Sequence, residues 1–368
     1  TRLPQTTPPA SARLRELRPS ARGVCFWYES GRLATAAASC RYRIGHFVEQ
    51  TTGADAVVGP RLPRRLVDQL HTVVCVRPHV TPSLERTLQE LRRRGVRVLA
   101  DYDDLLFAGD VSGLPSSVGG PGGESSRRMR LECYARGVEV FDGFIVATRP
   151  LRQQLAALAP SKPVALVPNG LSAQWIAQGR ALYPRFSPAE PPTLRYFAGS
   201  PSHDLDLASI WEPLVAFMER HSEVRLELVG HVRLDTRRLP PERVTRLSSV
   251  SYDELPRLLG ASWVNLAPLV PSAFTVCKSA IKFLEAAAFA CPTLASPNDD
   301  MQRHEQLGAP VVLCHSEADW LRELEAMLDL QRRASVAAQG ERYVVGPGLA
   351  KAHLTAWLGA VRPQAGSP

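Results

Sequence analysis

Long unbroken apolar runs are missing from this chain. A membrane-spanning helix needs about 18 or more apolar residues, and the most apolar stretch, 281–295, is interrupted by Lys282 and Glu285. A membrane span is therefore not expected. Paired cysteines are missing too. The seven cysteines (Cys25, Cys40, Cys75, Cys133, Cys277, Cys291 and Cys314) are odd in number and contain no CxxC pair, which argues against both a disulfide framework and a zinc site and fits a reducing cytoplasm. The opening TRLPQTTPPASARLRELRPSARG has no apolar core of the kind a signal peptide carries, and residues 1–19 read as a disordered segment or as a linker that could join partner domains of a larger enzyme. No helix-turn-helix, RRM or zinc-finger pattern occurs, nor any basic run interleaved with aromatics, so nucleic acid is not an expected partner.

What the chain does have is enough length and apolar content for two domains: 368 residues at 45% hydrophobic exceed what one core usually holds. Its formal net charge of +8 suits phosphate-bearing ligands or an anionic membrane surface. Short apolar runs alternate with amphipathic stretches at VCFWY (24–28), HTVVCV (71–76), VRVLADY (96–102), GFIVAT (143–148) and VALVPN (164–169). That rhythm predicts βαβ units and a parallel sheet. In SLERTLQELRRRG, Leu84, Leu88 and Leu91 share a helix face and Gly95 supplies the C-cap.

A Gly/Ser/Pro-rich patch at 109–126 is too long for an ordinary connection and reads as a mobile loop at an active site. Residues 181–192 lose periodicity and gain prolines, as a linker does. The rhythm then restarts with TLRYFAG (193–199), VRLELVG (224–230), VTRLSSV (244–250), WVNLAPL (263–269), PTLAS (292–296) and PVVLC (310–314), with helices expected around 206–220, 252–260, 278–290 and 317–333. The expectation is an α/β chain of two Rossmann-like lobes, 20–180 and 193–345, facing a central cleft. Ligands of such sheets bind at the strand C-terminal ends.

Three segments carry chemistry. In FTVCKSAIKFLEAAAFACPTLAS (274–296), Lys278 and Ser279 stand where a helix begins, so an ammonium, a hydroxyl and backbone N–H groups could converge on phosphate. Lys282 lies one turn later and Glu285 about two turns after Lys278, where a carboxylate can accept from two ribose hydroxyls. An amphipathic helix with a solvated Lys/Glu pair fits the same spacing. In RYFAGSPSHDLDL (195–207), Gly199 and Ser200 close a strand and His203 precedes a helix, an arrangement that permits close backbone approach to phosphate. In VLADYDDLLF (98–107), Asp101, Asp103 and Asp104 end a strand, where catalytic groups gather and mutual repulsion can raise a pKa. Arg41 and Arg43, in SCRYRIGHF, could meet donor phosphate or an anionic acceptor; a solvated helix start fits them equally.

The run LSSVSYDELPRLLGASWVNLAPL with CKSAIKFLEAAAFACPTLAS resembles the second lobe of the retaining GT-B glycosyltransferases, the glycosyltransferase 4-like group that includes bacterial surface-polysaccharide enzymes of O-antigen and capsule assembly. In that family two glutamates seven residues apart end on the helix before the PxLAS strand. Glu285 matches the second, implying a contact to the nucleotide ribose, whereas the first falls at Cys277, where this chain departs. RYFAGS resembles the loop that holds the donor diphosphate, VPNG (167–170) the segment near the hinge, and YRI the first helix of the family. For the aspartates, a metal-binding DxD of the other glycosyltransferase fold and a dehalogenase-type nucleophile compete with the DxDDLLF signature of these relatives, which is preferred.

The resemblance implies transfer of a hexosyl or deoxyhexosyl group, without metal or other cofactor, from a nucleotide-diphosphate sugar to a glycan or lipid-linked acceptor. It further implies retained configuration and a setting in bacterial polysaccharide or lipopolysaccharide synthesis. Lys278 would stabilise the leaving diphosphate with Ser200, Ser279 and Lys282. Gly199, His203 and Glu285 would complete donor binding, and Asp103 or Asp104 would position hydroxyls. The helix expected at 350–361, within a C-terminal stretch 346–368, would return to the first lobe. The enzyme would be cytoplasmic, with peripheral association at the membrane's inner face. Two rivals remain: a sugar-nucleotide 2-epimerase, and a non-catalytic binding or scaffold module of the same fold.

Overall fold

A computed structural model describes residues 23–28, 38–50, 54–58, 62, 64–108, 124–183, 191–199 and 204–362. Strands β1 (Gly23–Tyr28), β2 (Ala54–Val58), β3 (Leu70–Val76), β4 (Arg97–Tyr102), β5 (Gly143–Val146) and β6 (Val164–Leu166) form one sheet in the order β2-β1-β3-β4-β5-β6. A second sheet holds β7 (Thr193–Ala198), β8 (Arg225–Gly230), β9 (Val244–Leu247), β10 (Val264–Ala267), β11 (Thr293–Ala295) and β12 (Val312–Leu313) in the order β12-β11-β10-β7-β8-β9. Every pairing is parallel. Strand order reverses between β1 and β3 in the first sheet and between β7 and β10 in the second, and the C-terminal mouths of these pairs are where such sheets take ligands.

Every strand expected from the apolar rhythm forms; β2, ADAVV, was missed because an aspartate interrupts its short apolar run. The helix Pro82–Arg93 buries Leu84, Leu88 and Leu91, begins at the Thr81 side-chain cap and ends at Gly95, whose φ of 72° admits the left-handed turn. The helical stretch expected over 317–333 divides at Met327–Asp329, because the Asp329 carboxylate accepts from the N–H groups of Gln331 and Arg332 and starts a new helix, Leu330–Val344. The helix expected over 278–290 runs from Ile281 to Ala288. It closes with Ala290 at φ 55° and with Cys291 N–H on the Ala286 carbonyl, a left-handed cap that Pro292 then prevents from extending.

Apolar clusters cover both faces of each sheet. Two end helices cross between the lobes. Ala173–Leu182, which follows β6, lies against the second lobe: Trp175 stacks on Tyr252 at 4.3 Å and Arg180 donates to the Ala288 carbonyl. Leu354–Val361 returns to the first sheet, where Trp357 stacks on Phe26 at 4.9 Å and on Phe47 at 5.9 Å. Between these crossings, Leu171 bridges to Leu349, and a Cβ on Gly170 would lie 2.4 Å from the Ala350 nitrogen. Asn169 and Gly170 do not adopt the left-handed turn that an Asn-Gly pair suggests. Glycine is needed at 170 for the close approach of the two chain segments.

All seven cysteines are free thiols. Among the described residues, no helix is long and apolar enough to cross a membrane.

Three histidines are held neutral in the interior. His304 Nδ1 faces the Tyr343 hydroxyl at 2.6 Å, and its Nε2 must accept from the Arg303 guanidinium at 2.8 Å, since arginine has no acceptor. Burial pushes His46, His304 and His353 each down to about 4. The unfolded chain takes up protons below about pH 6.5 that the native state refuses until about pH 4. Stability from these groups is therefore full above pH 6.5 and lost as pH falls through that window. The melting temperature is expected to drop steeply between pH 6.5 and 4.5, and a flat profile there would contradict buried neutral imidazoles.

Candidate functional site

The second-lobe half of the cleft is built after β10. Residues Ser272 and Thr275 exchange side-chain and backbone hydrogen bonds at 2.9–3.0 Å and start a short 3-10 turn, Thr275–Cys277. The next residues are fixed from a distance: Asn298 donates to the Lys278 carbonyl at 3.1 Å, and the Asp300 carboxylate accepts the Ala280 N–H at 2.8 Å. Lys278 and Ser279 thus form the approach to the helix, whose first residue is Ile281. The Lys282 ammonium is buried with no hydrogen-bond partner among the described residues, lying over the Tyr196 ring at 5.3 Å. Burial lowers it to about 8, against the attraction of Asp206. Glu285 is pushed upward by burial, with Tyr42, Arg41 and Lys282 opposing.

The first-lobe half gathers at the ends of β3 and β4. Arg77 follows β3 at φ 47°, a backbone state that costs a non-glycine residue about 1–2 kcal/mol. Its guanidinium grips Asp103 and Asp104 together, at 2.5 Å each. Burial works to raise Asp103, but Arg77 and Arg43 outweigh it and hold the carboxyl below the usual carboxylate range. Asp103 is therefore an ionised structural anion. Asp104 also receives the Lys278 ammonium at 2.6 Å, so the structure brings two of the three residues expected to be catalytic, Asp104 and Lys278, into contact across the cleft.

Arg43 does not reach the cleft. Its guanidinium, 1% exposed, grips Asp101 at 2.7 and 3.0 Å and donates to the Val167 carbonyl at 2.6 Å and to Asn169 Oδ1 at 3.0 Å. The phosphate contact anticipated for it is corrected: these four bonds hold it in the core of the first lobe. Arg41 points the other way, 4.1 Å over the Tyr252 ring of the second lobe. The two part because residues two apart in a helical turn, here the π turn Arg41–Gly45, lie on different faces.

Between these halves the lobes touch through side chains that sequence reasoning did not single out. The Tyr42 hydroxyl donates to the Glu285 carboxylate. Thr148 donates to the Cys277 carbonyl at 3.0 Å, and Asn169 Nδ2 donates to Ser279 Oγ at 3.0 Å. Cys277 is fully buried and belongs to the first-lobe apolar cluster, and burial pushes its thiol up to about 12. It is an inert packing residue where the family pattern has a carboxylate. Tyr42 and Asn169 lie inside the YRI and VPNG segments already noted, whereas Arg77 carried no motif. Gly199 follows β7 and is exposed; Ser200, His203 and residues 109–123 lie outside the described residues. No group of three or more His, Cys, Asp or Glu among the described residues is arranged to hold a metal ion.

A family model described as glycosyl transferase-like matches residues 211–352, within the second lobe and its C-terminal crossing. No curated protein matches the chain in sequence. Among solved structures, the chain is similar to Anabaena Alr3699/HepE in complex with UDP, at 12% identity and a TM-score of 0.62, covering 92% of this chain and 99% of that one. It is similar to sucrose-phosphate synthase from Thermosynechococcus elongatus at 15% identity and TM-score 0.59, covering 92% and 98%. The pneumococcal O-GlcNAc transferase GtfA, in complex with UDP and GlcNAc, aligns at 13% identity and TM-score 0.53 over 79% of this chain and 56% of its own. These likenesses show the fold: two Rossmann-like lobes facing a cleft, the GT-B architecture.

Proposed function

We propose that this GT-B chain is a glycosyltransferase that moves a sugar from a nucleotide-diphosphate donor to a glycan or lipid-linked acceptor in bacterial polysaccharide assembly. The observation that carries the reading is Lys282, an ammonium that is buried, has no hydrogen-bond partner among the described residues, and lies on the same helix as Glu285, four residues after Lys278. A buried ammonium that no acceptor hydrogen-bonds is costly, even with the carboxylates of Asp206 and Glu285 near enough to attract it. A diphosphate beside Lys278, Ser279 and Lys282 would offset that cost and leave Glu285 to accept from ribose hydroxyls. UDP is bound in the HepE and GtfA structures, which puts a uridine donor first.

Donor binding exchanges like for like. Ribose hydroxyls replace the Tyr42 hydroxyl on Glu285, and phosphate oxygens replace the Asp104 carboxylate on Lys278, so each charge keeps a partner in both states. Asp104, released beside Cys277, stands where a carboxylate could hold sugar or acceptor hydroxyls. As the anomeric C–O bond breaks, the electron pair goes to the diphosphate, which Lys278 and Lys282 stabilise. The acceptor oxygen bonds to the anomeric carbon on the face the diphosphate leaves, and its proton passes to the leaving phosphate, so configuration is retained without a protein base.

A thermal-shift panel of UDP, GDP, CMP, dTDP and ADP, each with and without EDTA, tests the reading, because a ligand of the native state alone raises the melting temperature. One diphosphate is expected to stand out, indifferent to EDTA. Glu285→Ala is expected to weaken it about tenfold to a hundredfold, the worth of hydrogen bonds to a charged group. Unchanged affinity would sink the site. Cys277, in place of the first carboxylate of the pattern, favours a second reading, a nucleotide-binding module without turnover. Release of nucleotide from the matching sugar donor, with candidate acceptors supplied, separates the two.

A further inference from the structure

We infer that Asn169 is a positioning residue that aims the Ser279 hydroxyl at the donor phosphate, an inference that rests on the nucleotide site proposed above. Arg43 is a donor only, so the Asn169 oxygen must face it, and that orientation leaves the amide N–H₂ facing Ser279. Ser279 Oγ therefore accepts from Asn169 at 3.0 Å, and its single proton points elsewhere. Asn169 is 5% exposed and Ser279 partly exposed, at the approach to the helix that carries Lys282 and Glu285. With one of its two lone pairs engaged by Asn169 and its proton directed elsewhere, the hydroxyl is available as a donor, the polarity a phosphate oxygen needs.

The chain Asp101, Arg43, Asn169, Ser279 runs from the end of β4, through the segment between the lobes, to the second lobe. Each link has one polarity. The Asp101 carboxylate can only accept from Arg43, Arg43 can only donate to the Asn169 oxygen, and the Asn169 amide can then only donate to Ser279. The buried first-lobe ion pair thus sets the direction of a hydroxyl bond at the phosphate position of the other lobe.

Asn169→Asp reverses the last link. Its carboxylate keeps the Arg43 bond and must accept from Ser279, so the hydroxyl proton turns away from the ligand. Affinity should be measured by titration calorimetry for the diphosphate that binds best and for the same nucleoside without phosphate, in wild type, Asn169→Asp, Ser279→Ala and the double variant. Asn169→Asp is expected to weaken the diphosphate about tenfold or more and leave the nucleoside within about twofold. The double variant should be no weaker than the worse single one, because both substitutions remove the same bond. Asn169→Ser, which lacks the reach and adds no charge, should show a smaller loss in the same direction that vanishes in the Ser279→Ala background.

Equal losses for nucleoside and diphosphate would mean that Asn169 only holds the fold, and multiplying losses in the double variant would mean that the two residues act separately; either overturns the proposal. No diphosphate binding by the wild type, or a Ser279→Ala variant that binds as well as the wild type, would overturn the site assignment itself.

Discussion

Replacing Lys282 by methionine is expected to raise the melting temperature while nearly abolishing turnover. The ammonium is buried without a hydrogen-bond partner among the described residues, and burial depresses it to about 8. Methionine is an unbranched apolar side chain of similar reach and removes that desolvation cost, worth about 1–3 kcal/mol for an unsatisfied buried group. One kcal/mol corresponds to roughly 2–4 °C for a domain of 150–250 residues. Catalysis moves the other way, because a cation aimed at the leaving diphosphate is worth about 10²–10³ in rate. The stability gain should also depend on pH. Between about pH 8 and 10.5 the unfolded chain holds a proton that the native Lys282 has given up, so the wild type gains stability as pH rises. The difference between the two proteins should therefore shrink over that range. Melting curves at pH 7.5 and 10, with a donor-hydrolysis or transfer assay, check all three statements. A variant that is less stable and fully active would show that Lys282 is an ordinary packing residue.

Arg43→Met is expected to cost the fold itself, about 3–5 kcal/mol, the usual penalty for removing one partner of a buried ion pair. Arg43 and Asp101 are each about 1% exposed, and the carboxyl rests at about 6 even with the guanidinium beside it, because burial outweighs the attraction. Without Arg43 the carboxyl is left in an apolar core together with the Val167 carbonyl and the Asn169 amide oxygen that the same guanidinium satisfies. Arg43→Lys should recover little of the loss, since a point charge cannot grip both carboxylate oxygens and reach two further acceptors. Arg43→Met with Asp101→Leu should recover a large part of it, because no charge then remains buried. Denaturant midpoints of the four proteins decide the matter. A single variant as stable as the wild type would show that the pair is dispensable.

The strand rhythm was legible because parallel strands, covered on both faces, must read as apolar runs, and two sets of such runs separated by a proline-rich stretch can only be two sheets. The helix carrying Lys282 and Glu285, with Lys278 on its approach, was legible for a similar local reason, the spacing that brings residues about one turn apart together. Its true start was not. Asp300, twenty residues later in the chain, caps Ala280 and sets the helix to begin at Ile281, and no local pattern records that hydrogen bond.

What only the tertiary structure decided is the fate of each charge. The sequence presents Arg41 and Arg43 as equals, and the packing of the two faces of their helical turn sets one over Tyr252 and buries the other against Asp101. It presents Asp103 and Asp104 as an acidic cluster with raised pKa, and Arg77, arriving from β3, makes Asp103 a lowered, paired anion while Asp104 reaches Lys278 in the other lobe. Apolar periodicity is a local property and therefore written along the chain. Whether a charged side chain works on a ligand or holds the core depends on which distant partner shares its low-dielectric surroundings, and that is settled only when the lobes close on one another.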